Sequence, residues 1–434
     1  MKLNELTGKK ICILGFGREG QAMMNALRDL DVDITVVDRN SELRTYGNAE
    51  LTNCDCRTGP NYLKNINDFD IIIKSPGIPP CKELEEVKEK ITNSTQIFLD
   101  TIADTGAKVI GVTGSKGKST TASLIYEILK ASGEDVHLVG NIGKPAMDFI
   151  DEAKPKTWFV MEMSSFQLMD LTMSPHIAVI TTFFPEHLDY HGSLEDYLEA
   201  KKHITRFQKT EDYVFFNADS NEAKYIAEET SGGVFPVCRE EAPVSLNQIN
   251  LIGTHNLLNI TLAYAVAAHL NIPEHIIIDT IKSFKGLPHR LQSLGAHNGI
   301  EWIDDSISTT PETTIAALDA LENVTTLILG GHDRGSDFAE LGKQIAHSSV
   351  LNVILMGESA PRIRKAIELA NANVTFVKVK DMKEAVECTK EETSNQKLAT
   401  RNFLCLLSPA SPSYDMFKDF EERGNEFRKW IFSD

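Results

Sequence analysis

The sequence predicts an α/β protein made of parallel-sheet modules in tandem, and three observations carry that reading. Three times an apolar, β-rich stretch passes through glycines into a helical pattern, at KICILGFGREG, KVIGVTGSKGKST and TLILGG. That is the alternation parallel sheets with crossover helices require. The 434 residues, 42% hydrophobic and 24% charged, have a globular composition and length for two to four domains. Breaks near Thr101 and at GLPHRLQSL divide the chain into three expected domains, 1–100, 101–289 and 290–434.

In the first segment Ile11 to Leu14 reads as a buried strand, Gly15, Gly17 and Gly20 as the turn after it, and Gln21 to about Leu30 as a helix. ITVVDR is the next strand, and DFDIIIKSPGIPP holds another that stops at a Ser-Pro-Gly turn. The G-x-G-x-x-G spacing, with Asp38 ending a strand 18 residues after Gly20, marks a Rossmann-like domain. Its glycines let the backbone approach a pyrophosphate at a helix N-terminus, and the carboxylate accepts from ribose hydroxyls. A ligand-free strand-to-helix turn meets the same spacing, and a dinucleotide and a UDP-sugar fit it equally well.

The second segment opens on a more specific motif. An apolar strand, the loop GSKG and a helix from Ser119 to about Ala131, with Leu124, Ile125, Ile128 and Leu129 on one face, form a variant P-loop. Val112 stands where the first glycine of the usual G-x-x-x-x-G-K-[ST] pattern belongs, and glycines sit instead at 111, 114 and 117. The chemistry is still that of a phosphate cradle running from Gly114 through Ser115, Lys116, Gly117, Lys118 and Ser119 to Thr120. Backbone N–H groups face phosphate, Lys118 reaches the β- and γ-phosphates, and the Ser119 hydroxyl ligates Mg²⁺. A glycine-rich turn with an incidental lysine is the bland alternative.

TWFVMEM and HIAVITT are the later strands of this segment. Glu162 ends the first, where a carboxylate is costly to bury unless it binds something, so it is a candidate Mg²⁺ ligand. Glu186, His187 and Asp189 follow the second, on the edge where parallel sheets build sites, which makes His187 a candidate metal or phosphate ligand. HNLLNITLAYAVAAHL is a helix stopped by Pro273, and GLPHRLQSL is a linker. The third segment, again Rossmann-like, alternates the strands TLILGG, LNVILMG, VTFVKV and NFLCLLSPA with helices such as PRIRKAIELA.

Charge and cysteine usage set exclusions. Lys plus Arg number 44 against 62 Asp plus Glu, a net charge of −18, which argues against nucleic acid as a partner. The apolar runs fall far short of the roughly 20 residues of a membrane helix, and MKLNELTGKK lacks a signal-peptide core. A cytoplasmic protein without a membrane partner is expected. The seven cysteines lie mostly in or near strand-like runs and read as buried thiols, and Cys54-x-Cys56 alone is too little for zinc. Nothing in the pattern marks an oligomer seam, so a monomer is expected.

These residues resemble the Mur ligases, the ATP-dependent amino-acid ligases of bacterial cell-wall synthesis, over essentially the whole chain. TGSKGKST is similar to the family ATP loop, GNIG at 140–143 to its substrate-contact loop, MEMSSFQL to its metal-carboxylate strand and EHLDYHG to its second metal loop. HNLLN and GLPHR are similar to its nucleotide-contact motifs. SSFQL, GLPHR and LSPASPSYDMFKDFEERGNEF most resemble the members that add D-glutamate to UDP-N-acetylmuramoyl-L-alanine.

The resemblance implies UDP-substrate-binding, ATP-binding and amino-acid-binding domains in that order. Lys118 and Ser119 would hold ATP phosphates and a first Mg²⁺, with Glu162 completing that site, while His187 and Lys201 would hold a second Mg²⁺. Lys201 falls where these enzymes carry a carbamylated lysine, a change that makes electrostatic sense beside a cation. Asn256, Asn259, His289, Arg290 and Asp305 would contact the nucleotide. Gly17, Arg18, Asp38, Arg39, Ser75, Gly77, Asn141 and Ser164 would face the UDP-muramoyl substrate, and Arg334, Ser413, Tyr414 and Phe420 the glutamate. Two departures bear on the acceptor: Ile307 stands where the most similar members carry lysine, and Arg334 near where lysine is usual. L-Glutamate therefore stays open beside D-glutamate.

The implied reaction runs from the substrate carboxylate and ATP through an acyl phosphate to an amide, with positive charge supplied locally and the third domain closing over the second. Three other readings compete. A nicotinamide-dependent oxidoreductase leaves the P-loop, Glu162 and His187 unexplained. A nucleotide switch leaves GNIG and the third segment unexplained, and a non-catalytic scaffold would have no use for Lys118, Ser119, Glu162, His187 and Lys201 together.

Overall fold

The structure is a computed structural model, and it describes residues 1–41, 43, 54–395 and 403–433. Three sheets succeed one another along the chain, each assembled from short apolar strands separated by helices.

The first sheet has five parallel strands: β1 (Lys10–Leu14), β2 (Asp33–Asp38), β3 (Asp55–Thr58), β4 (Ile71–Lys74) and β5 (Ile91–Thr92). Their order is β3-β2-β1-β4-β5, so the winding reverses between β1 and β4 and leaves a crevice at their C-terminal ends. The helix after β1 spans Arg18–Leu27, three residues earlier at each end than the apolar pattern predicts. Gly17 is its N-cap, and Met23, Met24 and Leu27 are buried on its sheet-facing side.

The second sheet comprises β6 (Lys108–Thr113), β7 (Val136–Gly140), β8 (Trp158–Glu162), β9 (Ile177–Ile180), β10 (Tyr213–Asn217) and β11 (Gly233–Val237). The order β11-β10-β9-β6-β8-β7 is parallel throughout and sets β6 between β8 and β9. β8 and β9 are buried along almost their whole length, as strands covered on both faces must be. Residue Thr101 falls in the helix Ser94–Ile102, just ahead of β6.

The third sheet comprises β12 (Gln292–His297), β13 (Ile300–Asp304), β14 (Thr326–Gly330), β15 (Asn352–Met356), β16 (Thr375–Lys378) and β17 (Phe403–Leu407), in the order β12-β13-β17-β14-β15-β16. The expectation of a linker through GLPHRLQSL is corrected here, because Gln292–His297 pairs antiparallel with β13 as an edge strand. Its hydrophobic alternation is broken by a register shift between Ser293 and Gly295, and half its residues are exposed, so apolar periodicity did not reveal it. The turn signal was present: Asn298 and Gly299 both take positive φ, 55° and 75°, as a two-residue hairpin turn demands.

Contact density divides the described chain into two compact units, 1–243 with 257–281, and 244–256 with 282–434. The first two sheets belong to one unit because a single apolar cluster runs through both. Phe98 meets Phe159 edge-on at 5.0 Å, Lys74 pairs with Asp170 at 3.2 Å, and Gln96 accepts from the Thr172 N–H at 2.7 Å.

Candidate functional site: a phosphate loop with a buried lysine and carboxylate

β6 ends at Thr113, and the loop Gly114–Gly117 turns straight into the helix Lys118–Ala131. Gly114 has φ +147°, and a Cβ there would lie 2.0 Å from Thr181 Oγ1; Gly117 has φ +89°, and its Cβ would meet Asn259 Oδ1 at 2.3 Å. These two glycines are needed for the loop itself. Gly111 answers to sheet packing instead, with Pro175 Cγ 2.6 Å from its Cβ position. The loop is pinned from β9: Thr181 Oγ1 donates to Lys116 O at 2.6 Å, and Ser115 N–H donates to Thr182 O at 2.6 Å. Lys118 Nζ folds back to donate to Gly114 O at 2.9 Å and Ser115 O at 2.7 Å. Ser119 is half-buried and Thr120 buried in the first helical turn, while exposed Lys116 pairs with Glu186 at 2.7 Å.

Glu162 ends β8 and is 2% exposed. Asn141 Nδ2 donates to its Oε1 at 3.0 Å, but its buried Oε2 has no hydrogen-bond partner. An orphaned carboxylate oxygen is costly to bury and fits a hard cation such as Mg²⁺. Among the described residues no three His, Cys, Asp or Glu side chains converge as a metal group.

Lys201 lies on the helix Leu194–Arg206 and is 1% exposed. Its Nζ donates to Gly114 O at 2.9 Å, the same carbonyl that Lys118 uses, and lies 4.8 Å from the centroid of the Tyr197 ring. Burial, and then the neighbouring Lys118 ammonium, push the amine well below its ordinary value, against the weaker opposing pull of Glu186 and Glu162. Tyr197 sits one helical turn earlier, its hydroxyl 3.0 Å from Ser115 Oγ. His187 is exposed at φ 59°, its ring 4.9 Å from that of Phe166. The Asp189 side chain falls outside the described ones.

The first-sheet crevice sorts its glycines by role. Gly15 and Gly20 are packed against Ser75 and Gly15 O, whereas a Cβ at Gly17 or Gly77 would meet nothing within 4 Å, so these two leave open space. Ser75 Oγ donates to Gly15 O at 2.8 Å. Asp38 is occupied with the turn, accepting from Phe16 N–H and Asn40 N–H, both at 2.8 Å. Arg39 is exposed. Arg18 donates to Gly143 O, and exposed Asn141 also hydrogen-bonds through its N–H to Glu162 O, which brings the GNIG loop to both sheets. Ser164 caps the short helix Ser165–Leu168 by accepting from Gln167 N–H. Tyr190 clamps the Ser-Pro-Gly turn, its hydroxyl 3.0 Å from Pro76 O and 2.8 Å from Ile78 O.

The remaining candidates divide between the two units. Asn259 belongs to the first, where Thr121 Oγ1 donates to its Oδ1 at 3.3 Å. Asn256 belongs to the second and donates to Ile252 O at 2.8 Å. His289, at φ 61°, is buried with its Nδ1 2.7 Å from Asp304 Oδ2, and Arg290 beside it is exposed. Asp305 is buried too, accepting from Ser408 Oγ at 2.8 Å and Leu291 N–H at 3.1 Å, and burial pushes its carboxyl up to about 6. Arg334 lies over the exposed Tyr414 ring at 5.5 Å; Ser413 is buried, and Phe420 is half-buried at the start of the helix Phe420–Phe432. Thr113, whose Oγ1 lies 3.4 Å from Lys201 Nζ, and Tyr190, Tyr197 and Asp304 are site residues that the sequence did not single out. Tyr197 alone gave a signal, its i, i+4 spacing to Lys201.

Comparison with known proteins follows the same division. A Mur ligase middle-domain model matches residues 112–239, and a model of the Mur ligase glutamate ligase domain matches 289–399. A UDP-N-acetylmuramoylalanine–D-glutamate ligase of Streptococcus agalactiae serotype Ia is 36% identical over 445 residues, 96% of each chain. One so named from Acetivibrio thermocellus is 32% identical, covering 100% of this chain and 99% of its own. Among solved structures, the UDP-N-acetylmuramate-alanine ligase MurC of Thermotoga maritima superposes with a TM-score of 0.58 at 20% identity, covering 97% of this chain and 98% of that one. MurF of Acinetobacter baumannii gives 0.62 at 17% identity over 79% and 82%. Identity sustained along nearly the whole of both chains, on a shared fold, places this protein in the Mur ligase family.

Proposed function

We propose that the protein uses ATP to join D-glutamate to UDP-N-acetylmuramoyl-L-alanine, the reaction by which its relatives are named. The observation that carries the reading is the set of groups at the ends of β6, β8 and β9. A glycine loop of phosphate-cradle form, a carboxylate with an unpartnered buried oxygen and a buried lysine amine meet at one end of one sheet.

The substrate's terminal carboxylate attacks the γ-phosphate, ADP leaves, and the glutamate amine then displaces phosphate from the acyl phosphate. Lys118, released from the Gly114 and Ser115 carbonyls, neutralises phosphate charge, and the loop N–H groups hold the phosphates in line. Ser119, Glu162, His187 and Lys201 would hold two Mg²⁺ ions. The cations supply charge neutralisation between a carboxylate and a triphosphate that repel one another. Lys201 would serve there as a carbamate: burial holds its amine below the ordinary value, the deprotonated form adds to CO₂, an N–C bond forms, and the proton leaves to solvent, turning a repelled cation into an anionic ligand. Arg18, Ser75 and the open space at Gly17 and Gly77 receive the UDP portion. The 1–100, 101–289 and 290–434 domains take the UDP-substrate, ATP and amino acid respectively.

The test is phosphate release and amide product with ATP, Mg²⁺ and UDP-N-acetylmuramoyl-L-alanine, in the presence of D-glutamate, L-glutamate or neither. Product with D-glutamate alone is expected. Product with L-glutamate alone would overturn the acceptor, and release that ignores glutamate would overturn the ligase reading.

A further inference from the structure

Arg423 is among the most deeply buried large side chains of the second unit, 1% exposed, on the helix Phe420–Phe432. Each of its three guanidinium nitrogens donates to a loop group: Nε to Ser306 Oγ at 3.0 Å, Nη2 to Ser306 O at 2.8 Å and Nη1 to Ser411 O at 2.9 Å. Asp415 and Asp304 act on its charge through space, while burial, the larger effect, pulls it down to about 10, so it remains a cation at neutral pH.

A buried cation bonded to backbone carbonyls is an expensive way to hold a helix, since apolar contacts would do so more cheaply. Its geometry is what no other side chain reproduces, a planar fork with fixed donor directions. The fork reaches the loop after β13 through Ser306 and the loop after β17 through Ser411. It also abuts the loop after β14, where a Cβ on Gly331 would lie 3.1 Å from Nη1. Ser306 Oγ passes the connection on by donating to Phe420 O at 2.8 Å. The next residue, Gly424, is equally tight, with room for no Cβ beside His289 Nδ1 at 2.1 Å.

The candidate acceptor residues hang from these attachments. Ser413 and Tyr414 follow Ser411, Arg334 follows Gly331, and Phe420 is held through Ser306. We propose that Arg423 is a positioning residue for the acceptor amino acid: it touches no substrate, and its fork sets three loops in the register that the glutamate carboxylates need. This rests on the reading of the chain as a glutamate ligase.

The full-length protein is compared with Arg423→Lys, which keeps the charge and loses the fork, and with Ser306→Ala, which keeps Arg423 and removes the relay to Phe420. Both KM values, for glutamate and for UDP-N-acetylmuramoyl-L-alanine, are measured beside the circular dichroism spectrum. Arg423→Lys is expected to raise the KM for glutamate about tenfold or more, to leave the other KM unchanged, and to recover turnover at high glutamate. Ser306→Ala should move the glutamate KM in the same direction by less. A merely structural residue would lower the folded fraction, and with it the maximal rate, without splitting the two constants. Unchanged glutamate KM in both variants, or equal rises in both constants, overturns the proposal while leaving the ligase reading in place. A wild-type protein that forms no amide with either glutamate overturns both.

Discussion

Gly117 and Gly133 bracket one helix and hold nearly the same left-handed backbone, φ +89° and +86°, but only one of them faces an obstacle. An alanine at Gly133 would meet nothing within 4 Å, so Gly133→Ala carries the backbone strain alone, about 1–2 kcal/mol. At Gly117 the added Cβ would sit 2.3 Å from Oδ1 of buried Asn259, which Thr121 Oγ1 also holds at 3.3 Å. Overpacking of that kind costs about 1–3 kcal/mol more, for a total of about 2–5 kcal/mol. Each kcal/mol corresponds to about 2–4 °C of melting temperature in a domain of this size. Gly117→Ala must therefore melt several degrees below Gly133→Ala in calorimetry of the ligand-free protein. Activity should separate further, because a displacement of about 1 Å in a positioning loop costs about 100-fold in rate, whereas Gly133→Ala, beyond the far end of the helix, should keep its kcat. Equal melting shifts, or a Gly117→Ala variant turning over at the wild-type rate, would refute the argument that the loop's glycines are dictated by contact with Asn259.

Three other outcomes are expected. Incubation with isotope-labelled bicarbonate should place a labelled carbamate on the wild-type protein and none on Lys201→Ala; no label at neutral pH would remove the carbamate from the reading. Burial raises the Asp305 carboxyl from 3.8 to about 6, so its folded-state value lies above its unfolded one. The protonated folded form is favoured below pH 4, and about 3 kcal/mol of that advantage is lost as pH rises through 6. Asp305→Asn should thus gain melting temperature relative to wild type at about pH 8 and not at about pH 4.5, and a pH-independent difference would reject the shift. Tyr190→Phe removes the hydroxyl held between Pro76 O and Ile78 O; at about 1 kcal/mol per hydrogen bond, the KM for the UDP-substrate should rise several-fold while the KM for glutamate stays put.

The three α/β modules and the strand–glycine loop–helix units were legible in the sequence, because these rest on local chemistry. A buried parallel strand must be apolar, the crowded left-handed positions Gly114 and Gly117 leave no room for a Cβ, and Lys118 and Ser119 directly follow that loop. Glu162 was legible for a related reason: a carboxylate closing an apolar strand advertises its cost, and the structure leaves its Oε2 unpartnered. Where local signal was mixed the reading failed, as at Gln292–His297, where a bulge and a half-exposed edge erase the alternation that marks strands. Lys201 shows the other limit. In its helix it is one lysine beside another, Lys202, which pairs with Glu229 at 2.9 Å. Only packing puts Lys201 against the Gly114 carbonyl and the Tyr197 ring, strips its water and lowers its pKa. Arg423, Tyr190 and the His289–Asp304 pair belong to the same class, since each acts on groups that only the packed chain brings within reach. Chemistry carried by neighbours in sequence can be read from the chain; chemistry created by desolvation and by the meeting of distant loops exists only once the chain has folded.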